Sequence, residues 1–108
     1  MPKPANQVLI NEYIPGQGIP SHVDSVESFD DTIAWISLGS TCILDFSHIE
    51  SQCVRPQILE RRSLLVISGE ARYSWRHGIV ARDFDIIDGK RQPRMRRLSV
   101  TFRAVRNG

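Results

Sequence analysis

The chain has 108 residues, 41% hydrophobic and 24% charged, which is sequence enough for one core and excludes both wholesale disorder and a two-core protein. Its formal net charge is only +2, yet residues 1–60 carry two cations against eight acids and residues 61–108 carry twelve against four, which points to an anionic partner for the C-terminal half. No apolar run approaches the ~18 residues of a membrane helix, the start MPKPANQ lacks the apolar stretch of a secretory signal, and Cys42 and Cys53 lack CxxC spacing, so the expectation is an intracellular domain, cytoplasmic or nuclear, with reduced thiols and no membrane association.

Taken in chain order, the periodicity is that of strands. Residues 8–13 (VLINEY) form a first candidate strand, with Leu9, Asn11 and Tyr13 on one face, stopped by the turn-rich PGQGIP at 15–20. Residues 32–46 are rich in Ile, Trp and Leu with Gly39-Ser40 in the middle, which predicts two strands or one bent strand. His48, in DFSHIE, is expected to be a solvated loop histidine. Residues 63–68 (SLLVIS) have the apolar character of a buried strand, closed by Gly69, and residues 72–79 are a further strand candidate. The polar, increasingly basic stretch 80–96 is expected to be a loop. Residues 97–105 alternate cleanly. Six to eight short strands and no sustained helical period predict a mainly β fold, an antiparallel sandwich or barrel, in a single domain over residues 1–108.

Three groups of residues carry chemistry. His22 and Asp24 make an H-x-D pair, and in extended chain residues i and i+2 project to the same face, so an imidazole and a carboxylate can reach one metal together. His77, in YSWRHGI, is the natural third ligand. Two histidines and one carboxylate make the facial triad of non-haem Fe(II) oxygenases. The plain alternative is a surface turn pair after Pro20. In RLSVTFR, Arg97, Ser99, Thr101 and Arg103 share one face of a strand, while Leu98, Val100 and Phe102 share the other and are expected to bury in the core. The two guanidinium groups stand six residues apart, ~20 Å at the strand rise, and guanidinium binds carboxylate bidentately, so this face suits an acidic small molecule. An ordinary solvated face is the open alternative. Asn11 and Tyr13 add an amide and a phenol on neighbouring positions of one face. Trp75 stands two residues before His77 and can either stack on a base or pack in the core.

In this order, NEYIPG, HVD, WRHGI and RLSVTFR together resemble the AlkB family of Fe(II)/2-oxoglutarate dioxygenases. The stretches GQGIPSHVD, SLGSTCILDF and RRSLLVISGEARYSWRHGI look like the branch that hydroxylates modified wobble uridine in tRNA. The resemblance runs from about Asn6 to Val105. It implies a double-stranded β-helix (jelly roll) with Fe(II), 2-oxoglutarate and O2 as cofactor and cosubstrates. His22, Asp24 and His77 would be the iron ligands. Arg97, with Thr101 beside it, would meet the distal carboxylate of 2-oxoglutarate, Asn11 and Tyr13 would hydrogen-bond the cosubstrate, and Arg103 would sit near its keto-acid end. Arg72 and Trp75 would contact substrate. Family members convert 2-oxoglutarate to succinate and CO2 while hydroxylating a C–H bond on a nucleobase substituent. Chemistry on a base needs that base out of the stack, as in an anticodon loop, and the seven cations and no acids of residues 89–108 fit phosphate contact. The expected partner is nucleic acid, RNA (tRNA) rather than DNA; Val26, where some DNA-repair members carry an acid, leans the same way. Relative to the family the chain starts almost at NEY, so the core is expected to lack N-terminal covering elements and to expose apolar surface.

Overall fold

The computed structural model describes residues 4–106. Met1–Lys3 and Asn107–Gly108, and with them the Lys3 of the charge count, lie outside the described residues. Ten strands and one short helix follow in the order β1 (Gln7–Tyr13), β2 (Ile19–His22), β3 (Phe29–Gly39), β4 (Cys42–His48), β5 (Val54–Leu59), β6 (Ser63–Ile67), α1 (Gly69–Tyr73), β7 (Trp75–Ile79), β8 (Phe84–Ile87), β9 (Lys90–Pro93) and β10 (Arg97–Val105). Two four-stranded antiparallel sheets face each other, ordered β1-β10-β3-β6 and β2-β7-β4-β5, with β8-β9 as a separate hairpin. This is the expected jelly roll: apart from the β4-β5 hairpin, neighbouring strands in the two sheets are distant in sequence, so local pairing alone does not build it.

The stretch 32–46 resolves into two strands. Gly39, at φ 84°, is the reason: that backbone suits glycine, and a Cβ there would stand 2.4 Å from the Arg96 carbonyl oxygen. Three expectations need correction. Residues 80–96 are not one loop but carry β8 and β9, joined at Asp88-Gly89, where both residues have positive φ (54° and 73°). An Asp-Gly pair between two strands is the sequence signal of such a hairpin turn. Residues 72–79 are not one strand, because 69–73 form the helical turn α1 and only Trp75–Ile79 is extended. His48 is not a solvated loop residue; it ends β4 half-buried, opposite Trp75 in the register, and its Nδ1 accepts the Ser51 amide at 3.1 Å.

The strand β10 corrects a deeper expectation. Its polar side is the buried one: Arg97, Ser99 and Thr101 are 5–6% exposed, while Leu98, Val100 and Phe102 lie half-buried on the outer side. The register extends that outer side across the sheet, with Ile10, Val100, Ile36 and Leu64 in one row and Val8, Phe102, Ala34 and Val66 in the next. Ile10 is 67% and Leu64 62% exposed, so this apolar face is uncovered among the described residues. The apolar core instead lies between the sheets toward β4, β5 and β7, where Cys42, Leu44, Leu59 and Ile79 are buried against Ile19, Phe46 and Leu65. The remainder of the space between the sheets is a cavity walled by both polar and apolar side chains.

Candidate active site

The inner face of the first sheet presents successive cross-strand rows into this cavity. Tyr13 stands opposite Arg97, and Arg97 opposite Gly39; Asn11, Ser99 and Ser37 make the next row; Leu9, Thr101, Trp35 and Leu65 the third; Gln7, Arg103, Ile33 and Ile67 the fourth. The second sheet contributes His22 and His77, which face each other directly across β2 and β7 with ring centroids 4.5 Å apart. The strands approach this closely because Gly78 has no side chain: a Cβ would sit 2.8 Å from the Ser21 Cα. The enclosed space measures about 190 Å³ and is lined by the predicted residues Asn11, Tyr13, His22, Asp24, His77, Arg97, Thr101 and Arg103.

At one end three ligand-type side chains converge. Asp24 Oδ1 lies 3.2 Å from His22 Nε2 and 3.3 Å from His77 Nε2, and the donor atoms of the three residues all fall within 4.8 Å of one another. The Nδ1 of His22 donates to the Pro20 carbonyl at 2.8 Å, which leaves its Nε2 lone pair directed at the site, the backing a metal-binding imidazole requires. β2 stops at His22, so strand alternation alone does not bring Asp24 beside it; the chain beyond the strand end turns the carboxylate back. Burial would push the Asp24 carboxyl up, but hydrogen bonding and attraction from His77 and Arg103 outweigh it and hold the carboxyl at about 2, so Asp24 is an anion at neutral pH. Its second oxygen takes Arg103 Nη1 at 3.1 Å. Arg103 also donates to Gln7 Oε1 at 2.8 and 3.0 Å and rests 3.9 Å above the Phe29 ring.

At the other end Arg97 is 5% exposed. Its Nη2 donates to Ser37 Oγ at 3.0 Å, while Nε and Nη1 are buried with no partner among the described residues. Buried donors are costly to leave unmade, so this end is built for an anion, which Nε or Nη1 can grip together with the second N–H of Nη2. Tyr13 lies beside it, with the guanidinium 5.5 Å from its ring centre. Burial raises the Tyr13 phenol against the pull of Arg97 and keeps it a neutral donor. A metal-type His/Asp/His set at one end and an unsatisfied guanidinium at the other fit Fe(II) and a dicarboxylate together.

Two predicted residues lie elsewhere. Arg72 does not face a substrate: it is 1% exposed and its guanidinium is spent on the backbone carbonyls of Asp24, Ser25, Phe29 and Asp30. Trp75 is half-buried outside the cavity lining, edge-on to His48 at 4.9 Å between ring centres. Of the seven cations in the basic run of residues 89–108, Lys90, Arg91 and Arg96 stay exposed and the others are buried or paired. Arg94 and Arg97 are buried, Arg103 pairs with Asp24, Arg96 with Glu12 and Arg106 with Asp30, and Arg91 covers the Phe84 ring. Sequence reasoning missed Ser37, Gln7 and Trp35, the last with its ring 4.9 Å from that of His77. The period-two pattern Ile33-Trp35-Ser37-Gly39 put Trp35 and Ser37 on one face, but nothing local tells which partner that face meets.

A family model described as "2OG-Fe(II) oxygenase superfamily" matches residues 1–103. The tRNA (carboxymethyluridine(34)-5-O)-methyltransferase ALKBH8 of Macaca fascicularis is 51% identical over 82 residues, covering 76% of this chain and 12% of that protein. The mouse protein of the same name is 43% identical over 117 aligned positions, covering 94% of this chain and 18% of its own length. The chain thus spans less than a fifth of these relatives. Among solved structures, OsALKBH1 superposes with a TM-score of 0.70 at 21% identity over 93% of this chain and 48% of that one, a likeness of fold.

Proposed function

Because the chain belongs to the 2OG-Fe(II) oxygenase superfamily, as a dioxygenase of AlkB type, we propose that it hydroxylates a modified nucleobase in tRNA, consuming 2-oxoglutarate and O2 and releasing succinate and CO2. The observation that carries the reading is the pairing, within one cavity, of the His22/Asp24/His77 donor set with the two unpartnered buried nitrogens of Arg97. His22, Asp24 and His77 would hold Fe(II), which when bound supplies the redox chemistry between 2-oxoglutarate, O2 and the C–H bond. Arg97 takes the distal carboxylate in a bidentate grip, Thr101 lies two positions along the same face, and Tyr13 and Asn11 donate to the cosubstrate from β1. Arg103 keeps its charge beside the keto-acid end while holding Asp24 ionised.

The choice of tRNA rests on the ALKBH8 relatives, whose name gives carboxymethyluridine at position 34 of tRNA as the group acted on. The methyl transfer in that name belongs to proteins of which this chain covers 12–18% and is not part of the proposal. A wobble base sits in a single-stranded loop, where splaying it out costs little, and His22, whose side chain is 44% exposed, marks the side of the cavity open to it. An intracellular setting belongs to the proposal as well, supported by the free thiols of Cys42 and Cys53.

The first test is calorimetric binding of 2-oxoglutarate in the presence of Mn(II), which occupies an Fe(II) site without turnover. Metal-dependent binding, lost in His22→Ala and Arg97→Ala, is the expected result; a folded chain that binds no 2-oxoglutarate overturns the reading. With Fe(II), an anticodon stem-loop bearing carboxymethyluridine should gain one oxygen in mass as succinate appears. Loss of an alkyl group from the base would instead assign demethylation, and succinate formation indifferent to any nucleic acid would remove tRNA from the proposal.

A further inference from the structure

Resting on that reading, the structure assigns to Arg72 the task of positioning the metal ligand Asp24 through its backbone. Asp24 lies beyond the end of β2, so no ladder hydrogen bonds fix the chain there. The guanidinium of Arg72 does so instead. Its Nη1 donates to the Asp24 carbonyl at 2.8 Å, Nη2 to those of Ser25 and Phe29 at 3.1 and 3.3 Å, and Nε to that of Asp30 at 3.2 Å. One side chain gathers two carbonyls from the loop that joins β2 to β3 and two from the first residues of β3.

The donor choice is informative. Arg72 is among the most deeply buried side chains, at 1% exposure, and no carboxylate pairs with it among the described residues. A buried cation held by carbonyl dipoles and the Tyr73 ring 4.9 Å away, with no anion, is costly to maintain, and only a planar fork of five N–H groups can span carbonyls spread over seven residues. A second arginine acts alongside it: Arg106 donates to the Phe29 carbonyl at 2.7 Å and to the Tyr73 hydroxyl at 2.9 Å, joining the start of β3 to the same helical turn. Asp24 is therefore gripped at both ends, its carboxylate by Arg103 and its main chain by Arg72. The segment from Arg72 to His77 thus serves the metal twice, presenting His77 directly and Asp24 through the clamp. That is why residues 72 and 73 leave the extended conformation expected of them: the helical turn points Arg72 under the loop.

Arg72→Lys keeps the charge but collapses the fork to a single nitrogen. Mn(II) affinity, measured by calorimetry alongside apo melting temperature, should fall about tenfold or more, as for lost support of a metal ligand, and the spectrum of bound Mn(II) should broaden. Arg94→Lys, which alters another buried arginine, 7% exposed and paired with Asp85 of β8, should lower the melting temperature while Mn(II) affinity stays at the wild-type value. Hydrogen exchange on the wild type needs no variant to fold: Mn(II) should slow exchange in α1 together with residues 23–30, although α1 supplies no ligand. Wild-type Mn(II) affinity in folded Arg72→Lys, or α1 exchange indifferent to Mn(II), overturns the role of Arg72 and leaves the oxygenase reading intact. Failure of the wild-type chain to bind Mn(II) overturns both.

Discussion

Replacing Arg97 by methionine separates what the cavity costs the fold from what it does for a ligand. The side chain is 5% exposed, with one hydrogen bond to Ser37 and two nitrogens unpartnered. Each buried unsatisfied donor carries a penalty of about 1–3 kcal/mol, and the charge itself is buried without a carboxylate partner. Methionine is of similar length and flexible enough to follow the same path. Removing two orphaned donors, and losing one bond to a buried serine, should leave the apo protein more stable by about 1–3 kcal/mol, which for a domain of this size is a rise in Tm of at least roughly 4 °C. The same change deletes a charge-assisted fork on a carboxylate. Two such bonds are worth about 3 kcal/mol, so 2-oxoglutarate affinity should fall by about 100-fold. The assays are apo thermal melting and calorimetric titration with 2-oxoglutarate in Mn(II). A lower apo Tm together with unchanged 2-oxoglutarate affinity would refute the reasoning, because Arg97 would then be a structural strut.

The remaining expectations address separate parts of the molecule. Asp24 is held at about 2 against an ordinary 3.8, a depressed carboxyl, so its contribution to stability is complete above about pH 4 and is lost as the pH falls through 2; denaturation series across that window should show this slope in the wild type and not in Asp24→Asn. Gly78→Ala should force β2 away from β7, since its Cβ would meet the Ser21 and Ile19 backbone at 2.8–2.9 Å; a loss of about 1–3 kcal/mol should accompany loss of Mn(II) binding. Asp85, 1% exposed between Arg82 and Arg94, anchors the β8-β9 hairpin, so Asp85→Ala should cost about 3–5 kcal/mol and raise hydrogen exchange first in residues 84–93. On the outer sheet face, the pair Ile10→Glu and Leu64→Lys should raise solubility, measured by light scattering, while leaving Mn(II) and 2-oxoglutarate affinity unchanged.

Much of the fold was legible because strands announce themselves locally. Residues 8–13, 63–68 and 97–105 became β1, β6 and β10 with ends shifted by a residue at most, since alternation and β-branched runs are properties of the segment alone. The β8-β9 hairpin was missed: Asp88-Gly89 is a hairpin signal, but the polar KRQP of β9 and the short β8 read as loop. The helical turn α1 was not legible either, because five residues carry no helical period and what holds them is Arg72 reaching carbonyls 42–48 positions away. His48 misled for a similar reason: only the β4-β7 register sets it against Trp75.

The sequence by itself determined the residue inventory of the site and its order along the chain: an H-x-D pair, a distant His77, and a strand with Arg97 and Arg103 on one side. Only the tertiary structure decided which side of that strand faces inward. A period of two divides β10 into a polar and an apolar face without saying which is buried, and ordinary hydrophobic sorting would turn Leu98, Val100 and Phe102 into the core. The observed choice is the reverse, because β1 and β3 flank β10 in a register that aligns Tyr13, Asn11, Ser37 and Trp35 with Arg97, Ser99 and Thr101, while the facing sheet sets His22 against His77. Those pairings join residues 55 to 88 positions apart, and no local preference encodes contacts at that separation; only packing the two sheets turns a list of polar residues into a cavity with an anion site at one end and a metal site at the other.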